Sequence, residues 1–135
     1  MVDVGLLVLR LVLGVIFAAH GAQKLFGSFG GPGLKGTAAF FDQLGIRPGR
    51  PMAILAGLAE FAGGILVAVG LLTPLVAVAL IAVMAVAVLK VHLKNGFFAQ
   101  NGGYEFNLAL AGMALTLLLA GAGALSLDSV LGILW

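Results

Sequence analysis

Apolar residues run along this chain in four long stretches, separated by short glycine-rich or polar connections. The stretches are Val4 to Phe26, Met52 to Leu72, Pro74 to Val91 and Glu105 to Ala124. A helix rising ~1.5 Å per residue needs about 20 apolar residues to cross a ~30 Å hydrocarbon layer. The pattern therefore predicts four membrane-spanning helices packed as one domain, because no connection is long enough to separate two. Thr73-Pro74 marks a helix start, with Thr73 as cap and Pro74 at the first helical position, where no hydrogen bond is lost. Gly121 and Gly123 suit the end of the fourth helix. The tail from Ser126 to Trp135 is expected to form one short interfacial helix, with Trp135 at the headgroups.

Two connections are longer than turns. The first, Gly27 to Pro51, opens with a glycine-rich run and then places Leu34, Ala38, Phe41 and Leu44 or Ile46 on one face of a short amphipathic helix. The second, Leu93 to Tyr104, carries Phe97, Phe98 and the pair Gly102-Gly103. Both read as re-entrant or interfacial caps. A phosphate cradle is disfavoured, since no strand precedes the glycine run and no lysine follows at the required offset. Small residues, among them Ala59/Gly63, Gly64 and Ala109/Gly112, are expected to let helices approach closely.

Composition confirms the environment. Apolar residues make up 62% of the 135 and charged ones only 9%; a soluble domain carries about 25% charged residues. Soluble enzymes, nucleic-acid binders and disordered tails are excluded. There is no cysteine, hence no disulfide, thiolate ligand or thiol relay. The first span does not read as a cleavable leader, because it has no basic leader region and carries Arg10, His20 and Lys24. Lys24, Lys35, Arg47, Arg50, Lys90 and Lys94 all fall on the side of the two longer connections. The positive-inside rule places that side in the cytoplasm and both termini outside it. The expected class is thus an all-α integral membrane four-helix bundle, with interfacial loop helices on the cytoplasmic side.

Ionisable residues within spans are costly and by default face the bundle interior or a pathway. Helical rise puts His20 roughly 9 Å and Glu60 roughly 12 Å from the cytoplasmic ends of their spans. Lys24 lies one turn from His20 on the same face. His92 and Glu105 sit at the cytoplasmic ends of the third and fourth spans, and Asn107 lies half a turn deeper. These residues converge in a slab ~10 Å thick if all face inward. Arg10 is the outlier, ~21 Å from Lys24 along the axis; its long side chain could reach inward to Glu60 or snorkel to headgroups. Bland readings stand beside these. Lysines at span ends often mark the lipid boundary, Glu105 suits a helix N-terminus, and Met84 with the phenylalanines reads as core. Glu60, deep in its span, must be protonated, paired or hydrated, and an ion pair with Arg10 or Lys24 would suffice.

At these residues the chain resembles the DoxX family of small bacterial four-helix membrane proteins. The resemblance extends from Leu9-Arg10-Leu11 to Ser126-Leu127-Asp128. It is carried by His20-Gly-Ala-Gln-Lys24-Leu-Phe-Gly27, Glu60-Phe-Ala-Gly-Gly64 with Gly70-Leu-Leu-Thr73, His92 with Gly96-Phe-Phe98, and Gly102-Gly-Tyr-Glu105. It implies a quinone-linked redox role in the bacterial inner membrane, similar to the membrane subunit of thiosulfate:quinone oxidoreductases.

On that implication His20, Glu60, His92 and Glu105 are the candidate catalytic residues, and Arg10, Phe17, Lys24, Phe61 and Asn107 the candidate ligand-binding ones. Quinone reduction adds protons at carbonyl oxygens, so the site wants a donor such as His20 or Lys24 and a proton relay such as Glu60. Phe17 and Phe61 would flank the ring. Electrons would come from a soluble partner or another cofactor, since the chain has no haem pair, cysteine or dinucleotide fingerprint. The expected partners are the bilayer and soluble cytoplasmic redox enzymes; nucleic acid is not one, and homo-oligomerisation is compatible with the sequence. The alternative is a hydrophobic-ligand or lipid-binding protein, or a membrane anchor for redox enzymes, without catalysis of its own. A metal held by His20, His92, Glu60 and Glu105 is disfavoured by the lack of local ligand spacing, and neither metal nor haem is expected.

Overall fold

The computed structural model describes residues 1–133, all helix, turn and loop; the expectation for Trp135 lies outside the described residues. Helix α1 runs Val2–Phe26 and stops at Gly27. A short 3₁₀ turn leads to α2, Gly33–Gln43, and then to α3, Gly49–Val69. Helix α4 spans Thr73–Ala87, widens into a π-helical turn over Val88–His92 and tightens into a 3₁₀ turn at Leu93–Asn95. Helix α5 covers Glu105–Ala120, and α6 is a single turn, Leu127–Val130. Three helical paths, Val2–Phe26, Gly49–Val69 and Thr73–Asn95, are long and apolar enough to cross a membrane, and α5 is a shorter apolar helix. Large apolar side chains such as Val8, Leu11, Val15, Leu75, Leu108 and Leu119 face outward, as lipid-facing surfaces do.

The boundaries differ from the sequence expectation where backbone chemistry decides them. α3 begins at Gly49, before Met52, because prolines in a first turn forfeit no intrahelical bond. It ends at Val69, before Leu72, because Gly70 takes a left-handed conformation (φ 73°) that stops the helix. α5 ends at Ala120, not Ala124: Gly121 turns the chain at φ 76°, and the Ala124 amide then donates to Asp3 Oδ1. Thr73 does not cap α4. It is the helix's first residue, and the cap comes from elsewhere, as described below.

α1 and α3 pack backbone to backbone. A methyl group on Gly21 would collide with the Phe61 backbone, and one on Gly14 or Gly64 with the facing helix. The expected Gly112 contact is absent; that glycine faces open space. The dry core is Leu13, Phe17, Val67, Val76, Ala77, Leu80, Leu110, Ala114 and Leu117, with Met84 at its edge. α2 lies against α1 and α3 as a cap. Its Thr37, buried, donates to the Gly33 and Lys24 carbonyls and so ties the cap to the end of α1.

α5 has 16 residues and spans only ~24 Å. It starts level with His20, whose ring lies 5.9 Å from that of Phe106. His20 is six residues, roughly 9 Å, inside the end of α1. Loop 96–104 fills that gap. The amides of Gly103 and Tyr104, and that of Glu105 at the start of α5, bond the carbonyls of Phe98, Gly96 and Phe97 in turn, and Phe97 stacks edge-on against Phe98 and Tyr104.

Candidate functional site

Inside the bundle, at the end carrying the longer connections, Lys24 Nζ donates to Glu60 Oε2 at 2.6 Å. The carboxylate comes from mid-α3 and is almost fully enclosed; the lysine comes from the last turns of α1 and keeps a quarter of its side chain exposed. Of the alternatives open in the sequence, Lys24 rather than Arg10 is the partner of Glu60. The pair forms one wall of a cavity of about 360 Å³. All four long helices and loop 96–104 contribute to it. Phe17, Met84 and Leu110 form its apolar floor, while His20, Lys24, Glu60, His92 and Asn107 supply the polar groups.

Each polar group arrives for a local reason. His20 and Lys24 follow Phe17 down one face of α1. On α4, Met84 and Ala87 face the cavity, and regular α spacing would bring Val91 next. The π-helical turn inserts one residue into that stripe and delivers His92 instead. His92 Nδ1 lies 2.8 Å from the Gly102 carbonyl. A carbonyl only accepts, so Nδ1 carries the proton and Nε2 is left as the ring's second polar atom. Asn107 Nδ2 is 3.6 Å from Met84 Sδ, which orients the buried amide.

Three of the nine candidate residues fall outside the cavity. Glu105 accepts the Ala99 amide at 3.0 Å and steadies the loop at the start of α5. Phe61 turns away, its ring edge-on to Phe26 with centroids 5.4 Å apart. Arg10 lies at the opposite end, and it reaches neither Glu60 nor headgroups: it is completely buried and donates to the Leu125 carbonyl. Among the described residues no three His, Asp or Glu side chains gather as a metal site.

A model of the DoxX family matches residues 5–93, from the first turn of α1 to the end of α4's π turn. The chain belongs to the DoxX family. It is 34% identical over 126 residues to a Bacillus subtilis protein named "Putative oxidoreductase CatD", covering 93% of this chain and 86% of that one. It is 29% identical over 136 residues to the Escherichia coli "Inner membrane protein YqjF", covering 98% and 96% respectively. A third relative is an "Uncharacterized membrane protein Rv3486" of Mycobacterium tuberculosis, 30% identical over 131 residues, covering 89% of this chain and 77% of that one. No solved structure matches. The matched segment of this DoxX chain contains Arg10, His20, Lys24, Glu60 and His92, whereas Asn107 lies beyond it.

At the terminal end, sequence reasoning missed a second polar assembly. Asp128, buried, accepts the amides of Leu72 at 2.7 Å and Thr73 at 3.0 Å, and so caps α4 from 55 residues away. Its carboxylate also acts electrostatically on Arg10, whose guanidinium fits against Gly70 because that residue has no Cβ. The Asp128 amide donates to the Gly70 carbonyl, and Ser126 Oγ accepts from Ser129 to start α6. Asp42 serves α3 in the same manner, accepting the Gly49 amide at 3.0 Å. Asp3, Asp42, Asp128 and Glu105 thus each bind backbone N–H groups at helix ends or turns, whereas Glu60 binds a side-chain cation on a cavity wall. Nothing in the local sequence around Asp128 marks it as a cap for a helix that far away.

Proposed function

We propose that this protein is a quinone- or quinol-linked oxidoreductase subunit of the bacterial inner membrane, and that the Lys24–Glu60 cavity is its site. The observation that carries the reading is a buried carboxylate paired with a partly exposed ammonium, facing an open cavity with two imidazoles at membrane depth, where an ion pair without access would have no use for the space. The cavity's volume is at the small end of ligand sites, and its apolar floor with a few converging polar groups fits a single ring bearing carbonyl oxygens. A bound quinone would supply the two-electron, two-proton chemistry. The chain's own residues supply the rest. Lys24 Nζ, and Nε2 of His20 or His92 when protonated, donate to oxygens, while Glu60 takes and releases a proton beside them. Phe17, Met84 and Leu110 exclude water from the floor. Electrons would come from a soluble redox enzyme docked on the basic end, which the positive-inside rule places in the cytoplasm. The name of the Bacillus relative agrees with a redox role.

The test is spectroscopic. Protein purified from native membranes is extracted with solvent and examined by oxidised-minus-reduced ultraviolet spectra, and the binding of a decyl-tailed benzoquinone is titrated. Extracted quinone and saturable binding, lost in Glu60→Gln, are expected. A quinone-free sample that does not bind the probe overturns the reading and leaves a lipid-binding or anchoring role.

A further inference from the structure

The cavity has a side as well as a roof, and the two differ. The roof, toward the connecting-loop end, is made by Gly102 and Gly103 of loop 96–104, fastened by the His92–Gly102 bond. The side is the seam between α1 and α5. Along that seam the facing residues are closed from the terminal end inward: Leu117, Ala114 and Leu110 on α5 and Leu13 and Phe17 on α1 are all buried. One turn further on, the seam opens. His20 is exposed and Phe106 is 42% exposed, and their tilted rings are the contact across the gap. Both residues line the cavity and both show to the outside, at a level roughly 9 Å within α1. The neighbouring outward residue on α5, Leu108, is a lipid-facing leucine.

We infer that the His20–Phe106 seam is a lateral portal from the bilayer, through which a ligand with a polar ring and a hydrocarbon tail enters, leaving its tail in the lipid between α1 and α5. The inference rests on the reading of the cavity as a site for a lipid-soluble quinone, and adds its route and the class of tail. A cavity of this size holds a ring and little more, so a long tail must leave it. The loop is held by its own backbone hydrogen bonds, whereas the two aromatic side chains that meet across the seam turn without moving backbone.

The test uses the full chain in phosphatidylcholine vesicles. Phe106→Trp is made with Trp135→Phe, so that one indole reports the portal, and Leu108→Trp in the same background serves as the lipid-facing control. Brominated acyl chains are expected to quench the portal indole to an extent similar to the control, and iodide to quench neither. Iodide quenching without bromolipid quenching would overturn the portal, whether or not the cavity binds quinone. Decyl-tailed benzoquinone in unbrominated vesicles is expected to quench the portal indole saturably and the control only in proportion to its concentration. Loss of that saturation with bromolipid quenching intact would overturn the quinone reading and keep the opening to lipid. Should the tryptophan variant fail to fold, Phe106→Cys carrying a nitroxide gives the same decision in a chain free of other cysteines. Relaxation dominated by oxygen supports the portal, and relaxation dominated by a water-soluble nickel chelate overturns it.

Discussion

Lys24→Ala and Glu60→Ala break the same 2.6 Å ion pair, yet the structure makes the two substitutions unequal. Glu60 is 2% exposed, so Lys24→Ala abandons a carboxylate in the bundle interior. Lys24 is 25% exposed and sits near the end of α1, so after Glu60→Ala its ammonium can extend along its stem toward water. Breaking a buried pair by removing one partner costs ~3–5 kcal/mol. Lys24→Ala should fall near the upper limit, about 5 kcal/mol, and Glu60→Ala near the lower, about 3 kcal/mol. Removing both should cost less than Lys24→Ala alone, because no charge is left behind. Glu60→Gln keeps the shape and an acceptor for Nζ, and should cost about 1 kcal/mol. The assay is reversible unfolding in detergent across the four variants, beside quinone-dependent turnover in native membranes. Glu60→Gln is expected to be stable and inactive. Equal losses for the two alanine variants would refute the burial argument. Stability recovered in the double variant, together with full turnover in Glu60→Gln, would reduce the pair to a structural fastening.

Asp128→Ala removes the cap of α4 and the carboxylate beside Arg10, and is expected to cost ~3–5 kcal/mol, measured by thermal unfolding; Asp128→Asn, which keeps an acceptor, should cost less. Gly21→Ala drives a methyl into the Phe61 backbone and should separate α1 from α3, lowering stability by ~1–3 kcal/mol with the helix content unchanged by circular dichroism. Single cysteines at Ser28 and Ser129 should label from opposite sides, Ser129 from outside the cytoplasm, when impermeant maleimide is added to whole cells and to inverted vesicles. Labelling of Ser129 only in inverted vesicles would reverse the orientation.

The four apolar helices were legible because a hydrocarbon layer demands length and apolarity, and both are local properties of the chain. The convergence of His20, Lys24, Glu60, His92 and Asn107 was legible for a related reason: depth follows from counting residues, and polar groups at one depth tend to share an interior. What escaped was set by distant partners or by backbone detail. Counting alone gave Arg10 two destinations and neither is the true one, since its acceptor is a carbonyl 115 residues away. Glu105 lies at the expected depth, but the folded loop draws it to the Ala99 amide and out of the cavity. Phe61 follows Glu60 directly, and one step along a helix rotates a side chain by about 100°. The π turn that brings in His92 has no signature in Val88–His92 itself.

The clasp between Arg10 and the Leu125–Asp128 segment bears on how the molecule is made. Helix α1 enters the membrane carrying a guanidinium whose hydrogen-bond acceptor follows 115 residues later, and both it and the neighbouring carboxylate come after α5. Until they arrive, α1 holds an uncompensated charge that lipid does not solvate, and the N-terminus of α4 lacks its cap. Insertion of α1 to α5 therefore precedes closure of this clasp, which waits for the Leu125–Asp128 segment to seat. A chain cut before Leu125 would keep α1 to α5 and still leave the Arg10 guanidinium without this acceptor and this carboxylate.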